Sequence, residues 1–329
     1  MDEAPPDFTP VHLLTGFLGS GKTTLLRRLL TEPALADCAV LINEFGEVGL
    51  DHHLLERIDE ATVLLPSGCV CCSIRGELSQ AMASLLGRRT RGEFPGFRRM
   101  VIESTGLADP FPILSTLHAD PVLRHHFKVG AVVTTVDAVN AASQLDGWEE
   151  CVNQIAAADR LVLTKTDLAT AEDIADLLPR LADLNPEAPL WRSAEVDAPA
   201  ATLFSDVFSN PRGRFRASPA REGRYSGDRR SIHAFALVFE QPIDWTMFGV
   251  WLTMLLNRHG ADILRVKGVL RLADVDTPVA IHGVRHLVHA PVHMGRWPDD
   301  SRDSRIVFIV RGLERDSIER SLRAFLALA

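Results

Sequence analysis

The strongest constraint on this chain is a run near its start, Gly16-Phe-Leu-Gly19-Ser20-Gly21-Lys22-Thr23-Thr24. It fits the pattern G-x-x-x-x-G-K-[ST], follows an apolar β-type run and opens a helical one, the context in which such a loop wraps a phosphate. Glycines let backbone N–H groups turn inward around phosphate oxygens, and the start of the following helix adds positive potential. Lys22 would reach the β- and γ-phosphates, and the Thr23 hydroxyl would sit on Mg²⁺. Gly16, Gly19, Ser20, Gly21, Lys22, Thr23 and Thr24 are therefore the expected nucleotide-binding residues, with Lys22 and Thr23 also in the chemistry.

The surrounding pattern agrees. Short apolar β-type runs at 11–15, 39–43, 62–65, 100–104, 131–136, 161–164 and 190–193 alternate with helical stretches such as 22–30, 77–88, 149–158 and 171–184. Runs such as Ala131-Val-Val-Thr-Thr-Val136 lack clean alternation, as strands covered on both faces should. The expected fold is an α/β, doubly wound, mostly parallel sheet over residues 11–205. Residues 206–230 are rich in Pro, Gly, Ser and Arg and read as a linker. From 231 to 329 the pattern resumes as a smaller α+β domain. Strands are expected at 231–240, 263–272, 279–289 and 305–311, and helices at 245–258 and 314–328. With 329 residues, two domains are the natural expectation.

Bulk properties narrow the class. The net charge of −8 argues against a nucleic-acid binder. No apolar run approaches the roughly 20 residues that span a bilayer. Residues 1–10 are acidic and proline-rich, unlike a signal peptide, and read as a disordered tail on a cytoplasmic protein.

Two further segments complete a nucleotide site. Met100-Val-Ile-Glu103-Ser104-Thr105-Gly106 is a strand ending in an acid and then a glycine. Glu103 can hold Mg²⁺ or orient the attacking water, and Gly106 allows backbone approach to the γ-phosphate. Asp137 ends the next strand and is left out of the site. Leu161-Val-Leu-Thr164 runs into Lys165-Thr166-Asp167, similar to the guanine motif N-K-x-D with Thr164 where Asn is usual. A buried Asp167 carboxylate can accept from guanine N1–H and the 2-amino group, donors adenine lacks, and the Lys165 stem can lie on the base. The same residues could instead cap the next helix.

Three of the five cysteines, Cys69, Cys71 and Cys72, fall within Ser67-Gly68-Cys69-Val70-Cys71-Cys72. A structural disulfide framework would spread them out. Buried structural thiols, redox chemistry and metal binding are the three readings, and metal binding fits best. A Cys71–Cys72 disulfide would be strained. Soft thiolates suit Zn²⁺ or Cu⁺, and three of them leave a tetrahedral position open. Glu47 and His52, in the segment Asn43-Glu44-Phe45-Gly46-Glu47-Val48-Gly49-Leu50-Asp51-His52-His53, are possible additional ligands. His282, His286, His289 and His293 also invite a metal reading. In a straight strand, however, His282 and His286 would stand roughly 13 Å apart and could not share an ion. Pro291 could bend the chain and bring His289 and His293 closer.

Taken in order, G-F-L-G-S-G-K-T-T, N-E-F-G-E, G-C-V-C-C, E-S-T-G-L-A-D-P and T-K-T-D resemble the CobW-type P-loop GTPases. The resemblance extends through Leu264-Arg-Val-Lys-Gly268, His282-Gly-Val and Ser304-Arg-Ile-Val-Phe-Ile309. It implies GTP hydrolysis with Mg²⁺, coupled to delivery of Zn²⁺ or a similar transition metal to a client metalloprotein, with client docking on the C-terminal domain. Two other readings remain open. One is a nucleotide-binding metal buffer or sensor with negligible turnover, the other a P-loop small-molecule kinase. Turnover with and without metal separates the first; Asp167 and the adjacent thiols speak against the second.

Overall fold

The computed structural model describes residues 8–43, 62–65, 73–193, 199–205 and 232–327. The tail to residue 7, the linker at 206–230, Glu47, His52, Cys69, Cys71 and Cys72 lie outside the described residues.

Among the described residues, seven parallel strands form the first sheet, in the order β3-β2-β4-β1-β5-β6-β7. They are β1 (Thr9–Gly16), β2 (Cys38–Asn43), β3 (Thr62–Leu65), β4 (Arg99–Glu103), β5 (Phe127–Asp137), β6 (Arg160–Thr164) and β7 (Leu190–Arg192). Between them come α1 (Lys22–Leu30), α2 (Ser73–Thr90), α3 (Pro110–Ala119), α4 (Pro121–His126), α5 (Ala141–Gly147), α6 (Glu149–Ala157) and α7 (Ala171–Leu184), with the short α8 (Ala200–Leu203) after β7. Every residue of β6 is buried, and β1 is buried except at Pro10. This explains the unbroken apolar runs, since helices cover both faces of a parallel sheet. On one face, Leu14, Val40, Ile42, Val101, Val133 and Val162 pack with Leu25, Leu26 and Leu29 of α1. The strand order reverses at β1, which places the loop after β1 at the topological switch point where doubly wound sheets bind ligands.

One irregularity in this sheet has a chemical cause. Register between β1 and β5 shifts from Val11↔Val129 to Leu13↔Val132, so β5 carries an extra residue opposite His12. Such a bulge takes an amide out of the ladder. The Ala131 N–H donates to His12 Nδ1 at 2.9 Å. A Cβ on Gly130 would lie 2.6 Å from the same ring, so glycine is required there.

The second sheet runs β11-β10-β9-β13-β8, with β12 paired to β10, and its pairings are antiparallel. Its strands are β8 (Ile232–Phe239), β9 (Ile263–Leu272), β10 (Val275–Val284), β11 (Leu287–Val288), β12 (Val292–His293) and β13 (Ser304–Arg311). Helices α9 (Trp245–His259) and α10 (Arg315–Leu326) cover one face through Phe248, Trp251, Leu252, Ile318 and Leu322, against Phe235, Leu237, Ile306 and Phe308. The expected mostly parallel α/β sheet and the second α+β sheet are both present.

The sequence expectation of one strand over 279–289 is corrected. Gly283↔Val288 and Val284↔Leu287 pair across a two-residue turn, with Arg285 at φ 52°. The turn carries no Asn-Gly or glycine, the usual hairpin marks. The chain therefore doubles back, and His282 and His289 stack with ring centroids 3.9 Å apart. An ion in the plane of one stacked imidazole lies out of the plane of the other, so this pair does not converge on one ion. His286 Nδ1 lies 3.0 Å from the Leu256 carbonyl instead. Among the described residues, no group of three His, Cys, Asp or Glu side chains is placed to hold a metal. Cys38 and Cys151 are buried, and burial pushes the Cys38 thiol up to about 12, far from a reactive thiolate.

Candidate functional site

The loop after β1 has the backbone its glycines dictate. Gly16, Gly19 and Gly21 adopt φ of 144°, 69° and 86°, values that side chains resist. Gly16 also lacks room: a Cβ would lie 2.2 Å from Thr135 Oγ1 and 2.5 Å from the Thr135 carbonyl. Gly21 is the N-cap of α1 with no side-chain cap, and the first turn holds no acid. The positive end of α1 is thus left for an anionic ligand. Lys22 is buried, its ammonium donating to the carbonyls of Gly16 at 2.9 Å and Phe17 at 3.2 Å, and so lies across the loop. Ser20 is buried, sharing a 2.7 Å hydrogen bond with the Thr135 hydroxyl, while Gly19 and Thr24 are exposed.

The predicted partners from other strands arrive at the same sheet edge. Thr23 Oγ1 donates to Glu103 Oε1 at 2.5 Å, and Glu103 is 3% exposed at the end of β4. Ser104 donates to Thr15 Oγ1 at 2.8 Å, tying β4 to β1. Gly106 is required sterically: a Cβ there would stand 2.6–2.7 Å from Leu18 of the loop.

At the end of β6, Thr164 does the work of a clamp. Its hydroxyl lies 2.7 Å from the Ser20 carbonyl and 3.1 Å from that of Val136, linking the phosphate loop to β5 and β6. Lys165 takes φ 55° and its ammonium bonds Asp137 Oδ2 at 2.7 Å. Asp167, expected buried against a base, is exposed.

Asp137, which the sequence reading leaves out of the site, stands at the end of β5 on the same sheet edge. It is 1% exposed and binds Lys165, the Asn140 amide and the Val139 N–H. Burial works against its ionisation, but Lys165, Asn140 and Val139 outweigh this and hold the carboxyl below the usual carboxylate range. It stays charged and fixes the lysine expected to lie on the base. The available signal was its place at a strand's C-terminal end, the edge where such sheets bind ligands.

Comparison with known proteins agrees with this geometry. The family model "CobW/HypB/UreG, nucleotide-binding domain" matches residues 10–192, and the model of the C-terminal domain of the cobalamin synthesis protein cobW matches 232–326. The zinc chaperone YjiA of Escherichia coli is 35% identical over 320 residues, covering 94% of this chain and 96% of that one. The zinc chaperone CobW of Pseudomonas aeruginosa is 28% identical, covering 97% and 92%. The crystal structure of zinc-bound YjiA GTPase from E. coli superimposes with a TM-score of 0.68 at 27% identity, covering 97% of this chain and 99% of that one. Strand-end chemistry, matched segments and near full-length similarity agree, and the chain belongs to the CobW/HypB/UreG family of nucleotide-binding proteins.

Proposed function

We propose that this chain is a GTP-hydrolysing zinc chaperone. The observation that carries the reading is the hydrogen bond of half-buried Thr23 to buried Glu103 beside a phosphate loop, in a chain similar over 94% of its length to a zinc chaperone. A hydroxyl and a carboxylate are hard oxygen donors of the kind Mg²⁺ takes. The positive φ of Gly16, Gly19 and Gly21 and the uncapped N-terminus of α1 suit a phosphate. Thr23 and Glu103 would hold the magnesium, which when bound neutralises charge on the β- and γ-phosphates. Lys22 would leave the Gly16 and Phe17 carbonyls for phosphate oxygens. Glu103 would also orient water, and the Gly106 loop would meet the terminal phosphate. Lys165, held by Asp137, and Asp167 would read guanine.

Zinc is cargo in this reading. Cys69, Cys71 and Cys72, with Glu47 as a further ligand, would carry it to a client metalloprotein that docks on the domain 231–329, joined by the linker 206–230 to the GTPase domain 11–205. The same thiols with negligible turnover would make a buffer instead, and zinc-dependent GTP turnover separates the two. A form of YjiA with one glutamate and two cysteines replaced by alanine is also zinc-bound, so affinity is the quantity to measure rather than occupancy. Replacing Cys69, Cys71 and Cys72 together with Ser should remove the tightest zinc-binding event in a competitive titration. In the wild type that event should weaken as pH falls, because protons compete for thiolates. Unchanged tight zinc affinity in the triple variant would move the site elsewhere.

A further inference from the structure

The loop that follows Glu103 is held from both sides. Gly106 abuts Leu18 of the phosphate loop. From the other side, Gln154 of α6 reaches it with one side-chain amide. Its Nε2 donates to the Gly106 carbonyl at 3.1 Å and to the Ala108 carbonyl at 3.0 Å. The side chain is fully buried, and its own backbone carbonyl is fixed by Thr134 Oγ1 at 2.9 Å. Both partners are carbonyls, which only accept, so the NH₂ end must face them and the amide cannot flip. Gln154 Oε1 is buried without a hydrogen-bond partner. An acceptor left in this way costs free energy. The residue is therefore not present merely to satisfy its own polarity.

The consequence lies in the peptide planes. The chain has no cis peptide bonds among the described residues. In a trans peptide the C=O and the following N–H point opposite ways. Holding the Gly106 and Ala108 carbonyls against α6 turns the Leu107 and Asp109 N–H groups away from it. The Asp109 side chain then starts α3 by accepting from the Phe111 N–H at 2.9 Å. Trp148, the residue before α6, packs tilted against Phe17 of the phosphate loop, with ring centroids 5.5 Å apart. Gln154 of α6 and the residue just before that helix thus touch the Gly106–Ala108 loop and the phosphate loop.

We infer that Gln154 is a positioning residue for nucleotide discrimination: it fixes the Gly106–Ala108 peptide planes so that the loop favours GTP over GDP. This rests on reading that loop as the one that meets the terminal phosphate.

Gln154→Met keeps the volume and removes both hydrogen bonds. It should lower kcat/KM for GTP by about tenfold while leaving GDP affinity within about twofold. Gln154→Glu at pH 8 should lose more, because a carboxylate would face two carbonyls. That deficit relative to wild type should narrow toward pH 5.5, where a protonated carboxyl can donate once. A purely structural role would weaken GDP as much as GTP and would show no such narrowing; either result overturns the inference. Gly106→Ala is the control on the underlying reading. If it spares GTP over GDP selectivity, the loop does not meet the terminal phosphate. If it abolishes selectivity while the Gln154 variants keep it, the loop reading stands and the role of Gln154 falls. Hydrogen exchange on the wild type needs no variant. Residues 106–109 and 150–157 should gain protection together in a non-hydrolysable GTP analogue but not in GDP, and independent behaviour would contradict the coupling.

Discussion

GTP turnover by Lys22→Ala should fall by about 10²–10³-fold, the cost of removing one positioned donor to developing transition-state charge. The loop itself should survive. The Phe17 carbonyl still accepts from the Ser20 N–H at 3.1 Å, and the Thr164 hydroxyl still bonds the Ser20 carbonyl at 2.7 Å. The Gly16 φ and the packing of Gly16 against Thr135 do not involve the lysine. The loss should therefore fall on kcat, with GDP affinity changed far less, since charge grows on the phosphoryl oxygens in the transition state. Steady-state phosphate release in saturating GTP and Mg²⁺ is the measurement. Turnover equal to wild type would remove the loop from the chemistry.

The second large effect is on stability. Acid should unfold the nucleotide-binding unit by protonating His12. This imidazole is 2% exposed, and its Nδ1 accepts the amide that the β5 bulge releases. Protonation would place a hydrogen where an acceptor is needed. Burial lowers its pKa to about 3, helped by the nearby charges of Arg160 and Arg99 and opposed by Asp159. The folded value lies below the unfolded value of about 6.5. Between those limits the unfolded chain binds a proton that the folded chain does not. The contribution is complete above about pH 6.5 and is lost as pH falls toward 3, by about 1.4 kcal/mol per pH unit and about 5 kcal/mol in all. His12→Asn keeps an acceptor near Nδ1 and cannot titrate. Urea unfolding between pH 7 and 4 should show a shallower acid limb in the variant. The same slope in both proteins would show that His12 does not set it.

How much of this was legible in sequence depends on whether the signal was local. The parallel strands were readable where burial on both faces makes an apolar run, as in β1, β4 and β6. The start of β5 was not: Phe127–Gly130 contains Lys128 and a glycine, and joins the strand only by pairing with Thr9–Val11. Two helices were overlooked although their marks were present. Asp109-Pro110 and Asp120-Pro121 each supply an N-cap aspartate followed by proline at the first helical position. The turn at Arg285 gave no sign, because a non-glycine residue takes the positive φ there. The clustering of the glycines, Lys22, Thr23 and Glu103 was legible because motif and strand end coincide. Asp137 and Gln154 were not, since their partners, Lys165 and the Gly106–Ala108 carbonyls, are distant in sequence. Gln154 did leave a trace: it shares a helix face with Cys151 and Ile155, both buried. A polar residue on such a face marks a buried hydrogen-bond requirement.

A chaperone needs its metal and its nucleotide to sense each other. The γ-phosphate and its Mg²⁺ can order a switch loop that hydrolysis releases. If Glu47 or His52 completes the zinc shell in one nucleotide state, zinc affinity must differ between the GTP and GDP forms. By linkage, zinc must then shift the relative affinity for GTP and GDP by the same factor, on the order of 5–150-fold. The direct measurement is a zinc titration of the full chain in GDP and in a non-hydrolysable GTP analogue, matched by nucleotide titrations with and without zinc. Unequal zinc affinities, with the same factor recovered from the nucleotide side, are the expected result. Identical zinc affinities in the two states would contradict a GTP-driven zinc chaperone.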